Sequence, residues 1–292
     1  MFYIQQVQKG VASVVDTIDG VREPVSKILP KMPKNLIMGN SDKVCAVSNK
    51  DLLEAVLVRE RVEGKPETFE MQGCVLRWVT RRDKQYTVPY GIEKIHTHFP
   101  NSCERVVLPL TVIEIGSQVF AECCYLTDIV IPDSVVQLGT RTFFDTGLRR
   151  LVIPDSVKST GTWCFACCVY LQEVVISKGM RVLTDNCFAG CFELKKVIMP
   201  EGIERIGCSC FENCVELENI VIPSTMRYIE SHAFAYCTKL RRVEILSDTV
   251  GLAVDVFDNV DTEKLVLVGH KGSDIERYAK NHKIKFECFS EG

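Results

Sequence analysis

Fifteen cysteines are the most conspicuous chemical groups in this sequence of 292 residues. The stretch CSCFENC, from Cys208 to Cys214, holds three of them, and CFAC, from Cys164 to Cys167, has the C-x-x-C spacing of metal and redox sites. Zinc ribbons use two such pairs on separate turns of the chain, whereas the cysteines here recur with the period of a longer repeat. We therefore favour packing as their role, with a thiol or metal sensor as the less favoured alternative.

Five histidines are the other candidates for metal binding or proton transfer. His96 and His98 lie two apart in a strand-like stretch, so their side chains would face the same way and could share a metal ion. The sequence indicates no third ligand, and it contains no H-E-x-x-H, G-x-S-x-G or Walker motif. We predict that the protein is not an enzyme and needs neither a cofactor nor a metal.

The overall composition is that of a folded protein with little charge bias, because 46% of the residues are hydrophobic, 25% are charged and the formal net charge is −3. Nucleic-acid binding usually requires a basic face, and a membrane span requires about 20 apolar residues, so neither is expected. The first residues, MFYIQQVQKG, lack the features of a secretory signal, and many thiols without such a signal indicate a reducing compartment. We predict a cytoplasmic location, with export to the cell surface by a non-classical route as the alternative.

A repeat of 23 residues organises most of the chain. From Leu171 the successive copies read LQEVVISKGMRVLTDNCFAGCFE, LKKVIMPEGIERIGCSCFENCVE and LENIVIPSTMRYIESHAFAYCTK. Earlier copies begin near residue 86 and at Cys103, Leu126 and Leu148, and the copy from Leu126 is one residue short. The shared skeleton is L-x-x-(I/V)-x-(I/L/M)-P, two further apolar positions, and then F-x-x-C-x-x-L.

This skeleton predicts a stack of coils. The segment L-x-x-I-x-I alternates apolar and polar residues and indicates a short strand, and the proline after it ends the strand because it has no N–H to donate. One coil cannot bury its own apolar face, so neighbouring coils must stack. We predict a leucine-rich-repeat solenoid, a right-handed coil stack of the α/β type with one curved parallel β-sheet, mostly β and irregular, preceded by a small α+β N-terminal region.

The repeats resemble the BspA-type leucine-rich repeat family, whose signature is IPxSVxxIGxxAFxxCxxL. The units IPDSVVQLGTRTFFDTGL, MPEGIERIGCSCFENCVEL and IPSTMRYIESHAFAYCTKL carry the likeness, and the tail VGHKGSDIERYAKNHKIKF is similar to the segment that often closes such repeats. The resemblance covers about residues 86–286. It implies a binding role, which in this family includes adhesion at the cell surface, and it specifies no partner.

The repeat sorts most cysteines into two columns of stacked side chains. One column occupies the last position of F-x-x-C and the other precedes the Phe by one residue. Because cysteine behaves as a small hydrophobic residue, we expect both columns to be buried. The first column is Cys123, Cys168, Cys191, Cys214 and Cys237, and the second is Cys164, Cys187 and Cys210.

The outward position of each predicted strand carries Val or Ile in six consecutive coils. We call this column the ridge and predict that it is the contact surface for a protein partner of unknown identity. The alternative is that β-branched residues stand there because they favour strands. The ridge consists of Val107, Val130, Val152, Val175, Ile198 and Val221.

A column of mostly charged residues runs beside the ridge, and its signs alternate along most of its length. We expect neighbouring charges to pair, and we count three of the basic residues, Arg150, Lys196 and Arg242, as part of the contact surface. The full column is Asp128, Arg150, Glu173, Lys196, Asn219 and Arg242.

The ends of the chain differ from the repeats, and we divide the chain into four parts. Residues 1–34 are an amphipathic helical segment and linker, and residues 35–85 are an α+β cap. Residues 86–246 are the repeats, and residues 247–292 are a C-terminal cap. In the first segment, apolar residues from Ile4 to Ile28 follow the 3-4 spacing of a coiled coil. That segment could dock on its own chain, join two chains into a homo-oligomer, or bind a partner. In the caps we predict a strand at 74–79, a last strand at 265–268 and a helix over 274–281 capped by Ser273.

Together these patterns favour a non-enzymatic module that binds a protein on the strand face of the solenoid. A cell-surface adhesin for a host or matrix protein is the second hypothesis, and the thiol or metal sensor is the third.

Overall fold

The computed structural model describes residues 69–79 and 82–289, which wind into a parallel β-solenoid of about nine turns with little helix. The predicted leucine-rich-repeat fold is therefore confirmed. The predicted helical segment 1–34, Cys45 and most of the predicted α+β cap lie outside the described residues.

All the described coils except the one that begins at Leu126 contribute a short strand to one side of the solenoid, and in the repeats it lies where L-x-x-I-x-I predicted it. We call this side the strand face. Numbered in chain order, its strands are β3 (Gln85–Thr87), β5 (Arg105–Val107), β8 (Arg150–Val152), β10 (Glu173–Val175), β12 (Lys196–Ile198), β14 (Asn219–Ile222), β16 (Arg242–Ile245), β18 (Val266–Gly269) and β19 (Lys285–Cys288).

A second line of strands runs along another side of the solenoid, and of these the sequence led us to expect only the one at 74–79. Most of these strands are only two residues long, and they fall at the second apolar position after the proline. They are β1 (Phe69–Gln72), β2 (Val75–Val79), β4 (Lys94–Ile95), β6 (Glu114–Ile115), β7 (Gln137–Leu138), β9 (Ser159–Thr160), β11 (Val182–Leu183), β13 (Arg205–Ile206), β15 (Tyr228–Ile229) and β17 (Gly251–Leu252). They form a six-stranded and a four-stranded sheet, in which β1 and β2 make the one antiparallel pair among the described strands.

The repeated phenylalanines form one continuous stack through the core. Seven of them, from Phe99 to Phe234, are fully buried, and neighbouring ring centroids lie 4.9 to 5.5 Å apart over this run. A tyrosine closes each end of the stack edge-on: Tyr86 lies 5.1 Å from Phe99, and Tyr278 lies 6.1 Å from Phe257. These distances lie in the range that aromatic pairs prefer.

The backbone turns sharply on both sides of the stacked phenylalanines from Phe120 to Phe234. Around Phe165, for example, Trp163 and Cys167 have φ values of 60° and 59°. The equivalent positions around Phe211 are Ser209 and Asn213, with φ values of 52° and 60°. Left-handed backbone costs most residues about 1–2 kcal/mol, so each coil accepts this strain in order to turn its Phe and Cys into the core.

The C-terminal cap differs from the prediction in two details. The helix α1 (Asp274–His282) is present, but the Ser273 hydroxyl donates to the carbonyl oxygen of His270 (2.6 Å) and does not cap the helix. The strand predicted to be last is β18, and it is followed by β19, which pairs with it in parallel. The residues KIKFEC, from Lys283 to Cys288, alternate polar and apolar side chains, a signal for this strand that our prediction did not use. The strand predicted at 74–79 is confirmed as β2.

Candidate functional site

The ridge points away from the core, as predicted, but its exposure is uneven. Val130, Val152, Ile198 and Val221 are exposed, with fractions of 77%, 53%, 40% and 47%. Val107 and Val175 are half-buried between their neighbours. The inward residues of the same strands, such as Leu151 and Val174, are at most 1% exposed, so the period-two alternation correctly separated the two faces.

The strand face is not the single continuous sheet that we predicted. It is divided into a two-stranded sheet (β3-β5), a three-stranded sheet (β8-β10-β12) and a four-stranded sheet (β14-β16-β18-β19). Residues 126–132, which belong between β5 and β8, form no strand, so Val130 lies in an irregular segment.

The first interruption adjoins the coil that is one residue short. Gly147 stands in its shortened turn, where an added Cβ would overlap the carbonyl oxygen of Cys124. Of the backbone groups from Thr127 to Ile131, only the Thr127 carbonyl accepts a hydrogen bond within the described chain, from the Arg149 N–H at 3.3 Å.

The charged column pairs where the strands are continuous. The Glu173 carboxylate lies 2.9 Å from the Lys196 ammonium and 3.6 Å from the Arg150 guanidinium, so it bridges three coils. The hydrogen bond from Lys196 is the main reason that the pKa of Glu173 lies below its ordinary value. Arg242 instead pairs with Glu244 and Glu287, at 2.7 and 2.9 Å. Asp128 has no ion pair among the described residues, because its segment has left the sheet.

A cleft of about 530 Å³ opens on the strand face at the first interruption. One wall is β5 with Leu108 and Leu110, and the other is the segment from Thr127 to Pro132. Ile129, an inward residue, is only half-buried here, whereas its equivalents Val106 and Leu151 are 5% and 1% exposed. We did not predict this cleft from the sequence. The one signal for it is the missing residue in the coil that begins at Leu126.

The cysteine columns are buried, as predicted, and the F-x-x-C thiols also donate hydrogen bonds. The Sγ of Cys191 lies 3.3 Å from the Phe165 carbonyl oxygen in the preceding coil, and the Sγ atoms of Cys214 and Cys237 make the same contact with Phe188 and Phe211, at 3.4 and 3.1 Å. Each thiol thus satisfies a carbonyl beside the phenylalanine stack. The predicted burial of both columns is confirmed, and this hydrogen bond is an addition to it.

Burial also makes the column thiols poor nucleophiles. It raises the pKa of Cys187 and Cys237 to about 12 and that of Cys168 to about 11. Since the thiolate is the form that reacts and binds metals, these thiols are protonated near neutral pH. Cys124 and Cys288 are exposed.

The two neighbouring histidines do not share a site. The Nε2 of His96 lies 2.8 Å from a Glu114 carboxylate oxygen, and the Nε2 of His98 lies 2.8 Å from the Ala121 carbonyl oxygen, so each ring bonds separately to the next coil. Within residues 69–79 and 82–289, no cluster of three or more histidine, cysteine or acidic side chains is arranged to hold a metal ion.

One cluster of polar side chains was not singled out from the sequence. The Ser231 hydroxyl donates to Asp255 (2.7 Å) and lies 2.9 Å from the His232 Nδ1, while the His232 Nε2 lies 3.4 Å from Asp258. His232 has a φ of 56° and occupies the turn before the stacked Phe. The cluster links two neighbouring coils.

No helix in the described residues is long and apolar enough to cross a membrane.

Solved structures with a partial likeness to this chain include several leucine-rich repeat proteins. A leucine-rich repeat protein from Bacteroides ovatus aligns with a TM-score of 0.48 and 21% identity over 71% of this chain, which spans 66% of that protein. A T. pallidum leucine-rich repeat protein aligns with a TM-score of 0.42 and 22% identity over 49% of this chain and 82% of its own length. A leucine-rich cell surface protein from Faecalibacterium prausnitzii aligns with a TM-score of 0.31 and 18% identity, covering 74% and 98% of the two chains.

No curated protein sequence is detectably similar to this chain. The profile of the BspA type leucine-rich repeat region, by contrast, matches residues 94–217 and 204–290 with six copies. These matches span the repeats, the phenylalanine stack and the C-terminal cap, so this chain belongs to the BspA-type leucine-rich repeat family.

Proposed function

We propose that the protein is a non-enzymatic binding module that holds a protein partner on the ridge and its charged flank. The observation that carries the proposal is the exposure of the ridge, since Val130, Val152, Ile198 and Val221 are all at least 40% exposed. Aligned apolar side chains in contact with water mark a contact surface more often than single scattered ones do.

The charged flank supports the same surface. Arg150 and Lys196 lie on either side of Glu173, and both basic side chains are more than 60% exposed. Apolar residues beside charges that a partner can match form the usual arrangement of a protein interface, with an apolar centre and a polar rim.

The test is affinity capture from native lysate, in which a triple variant of the ridge is compared with wild type. Val152→Lys, Ile198→Lys and Val221→Lys place charges on the ridge at exposed positions, and half-buried Val175 stays unchanged. The matched control is Ile113→Lys, Val136→Lys and Val254→Lys, which changes three exposed apolar residues outside the ridge. Circular dichroism and thermal unfolding of both variants should match those of wild type, because exposed substitutions rarely cost more than about 0.5 kcal/mol.

We expect a partner that is retained by wild type and by the control and lost by the ridge variant. Retention of the same partner by the ridge variant would mean that the Val and Ile side chains serve only the strands. Protease accessibility on intact cells distinguishes a cytoplasmic module, which we propose, from a surface adhesin.

A further inference from the structure

We propose that the cleft between β5 and residues 127–132 binds an extended segment of a partner protein, which adds to β5 as an extra strand. This inference rests on the proposed function and deepens it, because it names the kind of partner and one place on the strand face where it is held. Strand addition of this kind obtains affinity from main-chain hydrogen bonds and specificity from the pockets for alternate side chains.

The backbone of β5 has one free edge, and that edge lines the cleft. The Arg105 N–H donates to the Lys84 carbonyl, and the Val107 carbonyl accepts from the Val88 N–H, so these residues face β3. The backbone groups of neighbouring residues in a strand point to opposite edges, which directs the N–H and C=O of Val106 away from β3 and toward the cleft. β5 pairs with β3 and with no other described strand.

The segment across the cleft does not cover this edge. Asp128, Ile129, Val130 and Ile131 make no backbone hydrogen bond to any other part of the chain that the structure describes. An uncovered strand edge inside a folded protein is a template for another strand, and proteins usually block such edges with charge, proline or a covering element. Here the edge lies open beneath a cleft.

The side chains of the cleft suit an extended chain with an apolar residue directed inward. The cleft volume of about 530 Å³ lies within the range of about 300–1,000 Å³ that is common for ligand sites. Its floor includes half-buried Ile129, and its rim carries exposed Leu110 and Val130, at 64% and 77%. An apolar side chain of the added strand would cover Ile129, which the solenoid itself leaves partly open to water.

Charge indicates which residues flank that apolar side chain. Arg105 and Asp128 stand on opposite walls of the cleft, both are exposed, and neither forms an ion pair with a described residue. A complementary segment therefore carries an acidic residue on the side of Arg105 and a basic residue on the side of Asp128. The occupant we propose is an extended partner segment with an apolar centre and one charge of each sign.

The experiment selects random linear peptides displayed on phage against the whole protein and measures the binding of the synthesised winners. Each peptide is compared with versions that are N-methylated at one residue at a time, since N-methylation removes a donor and leaves the side chain in place. Strand addition to β5 predicts at least tenfold weaker binding at alternate positions and little change at the positions between them. Peptides with an apolar residue flanked by opposite charges should be enriched.

Three protein variants locate the site. Val130→Arg places a charge in the cleft wall, and Val254→Arg is the matched control, since both valines are 77% exposed and Val254 lies outside the ridge and the cleft. The third variant, Val221→Arg, changes the ridge away from the cleft. We expect Val130→Arg to weaken peptide binding at least tenfold and Val254→Arg to change it less than twofold. The inference is overturned if no selected peptide depends on Val130. It is also overturned if the peptides lose binding equally at every methylated position. Peptides that depend on Val221 and not on Val130 would overturn the cleft site and leave the proposed ridge function standing.

Discussion

The thiol of Cys191 should stabilise the fold as a hydrogen-bond donor, and replacing it with two different residues tests this. The residue is fully buried, and its Sγ lies 3.3 Å from the carbonyl oxygen of Phe165. Among the described residues this thiol is the one group that donates to that carbonyl. Cys191→Ala removes the donor and leaves a small cavity, whereas Cys191→Ser keeps a donor of nearly the same shape.

The expected magnitudes follow from these contacts. A buried acceptor left without a partner costs about 1–3 kcal/mol, and the lost burial of an atom the size of a methylene costs about 0.8 kcal/mol. We therefore expect Cys191→Ala to lower the free energy of unfolding by about 2–4 kcal/mol. Cys191→Ser should be more stable than Cys191→Ala by at least about 1 kcal/mol, because its hydroxyl still donates to the Phe165 carbonyl oxygen.

The assay is equilibrium unfolding in urea under reducing conditions, followed by circular dichroism and by hydrogen exchange in the coil of Phe165. Cys167→Ala is the control, because Cys167 is only half-buried and makes no hydrogen bond through its thiol in the described chain. It should change stability by less than about 0.5 kcal/mol. If the serine variant is as unstable as the alanine variant, or less stable, then the thiol acts only as an apolar filler and the reasoning is wrong.

Three further predictions concern the core, the turns and the pH response. Phe211→Ala removes a ring whose two neighbours lie 5.5 and 5.4 Å away, and it should lower the free energy of unfolding in urea by about 3–5 kcal/mol. Phe192→Ala, at an exposed position, should change this free energy little. Equal losses in the two variants would contradict a role for the stack. Tyr236→Asn should raise stability by about 0.5–1 kcal/mol, because Tyr236 has a φ of 59° and Asn tolerates this backbone better; Tyr170→Asn, whose φ is not positive, should give no gain. The free energy of unfolding should be constant near neutral pH and fall above about pH 8.5, where the thiols of the unfolded chain ionise. In the folded state burial raises the pKa of Cys168, Cys187 and Cys237 to about 11, 12 and 12, so these thiols stay protonated there. The unfolded chain then binds fewer protons than the folded one, so each thiol lowers the free energy of unfolding by up to about 1.4 kcal/mol per pH unit. Cys187→Ser should therefore make the urea midpoint fall less steeply with pH across this range. An unchanged slope would show that other groups titrate.

Much of the site was predictable because the signal repeats. The alternation around Val152 and Val174 is local to one strand, and it placed the ridge outside and the core residues inside without reference to any other coil. The partners of Glu173 were likewise predictable from its place between Arg150 and Lys196 in a parallel register. His96 and His98 show the limit of this reasoning, since spacing alone could not indicate that each ring bonds to a different group of the next coil.

The 23-residue period, the buried phenylalanines and the two cysteine columns follow from the sequence itself, because each depends on the period of a single coil. The interruption of the strand face, the cleft beside β5 and the hydrogen bond from Cys191 to Phe165 were decided only by the tertiary structure. Each of these depends on whether groups of two neighbouring coils lie within hydrogen-bond distance of each other. The coil that is one residue short, with Gly147 in its turn, keeps its apolar pattern intact, yet its residues 126–132 form no strand.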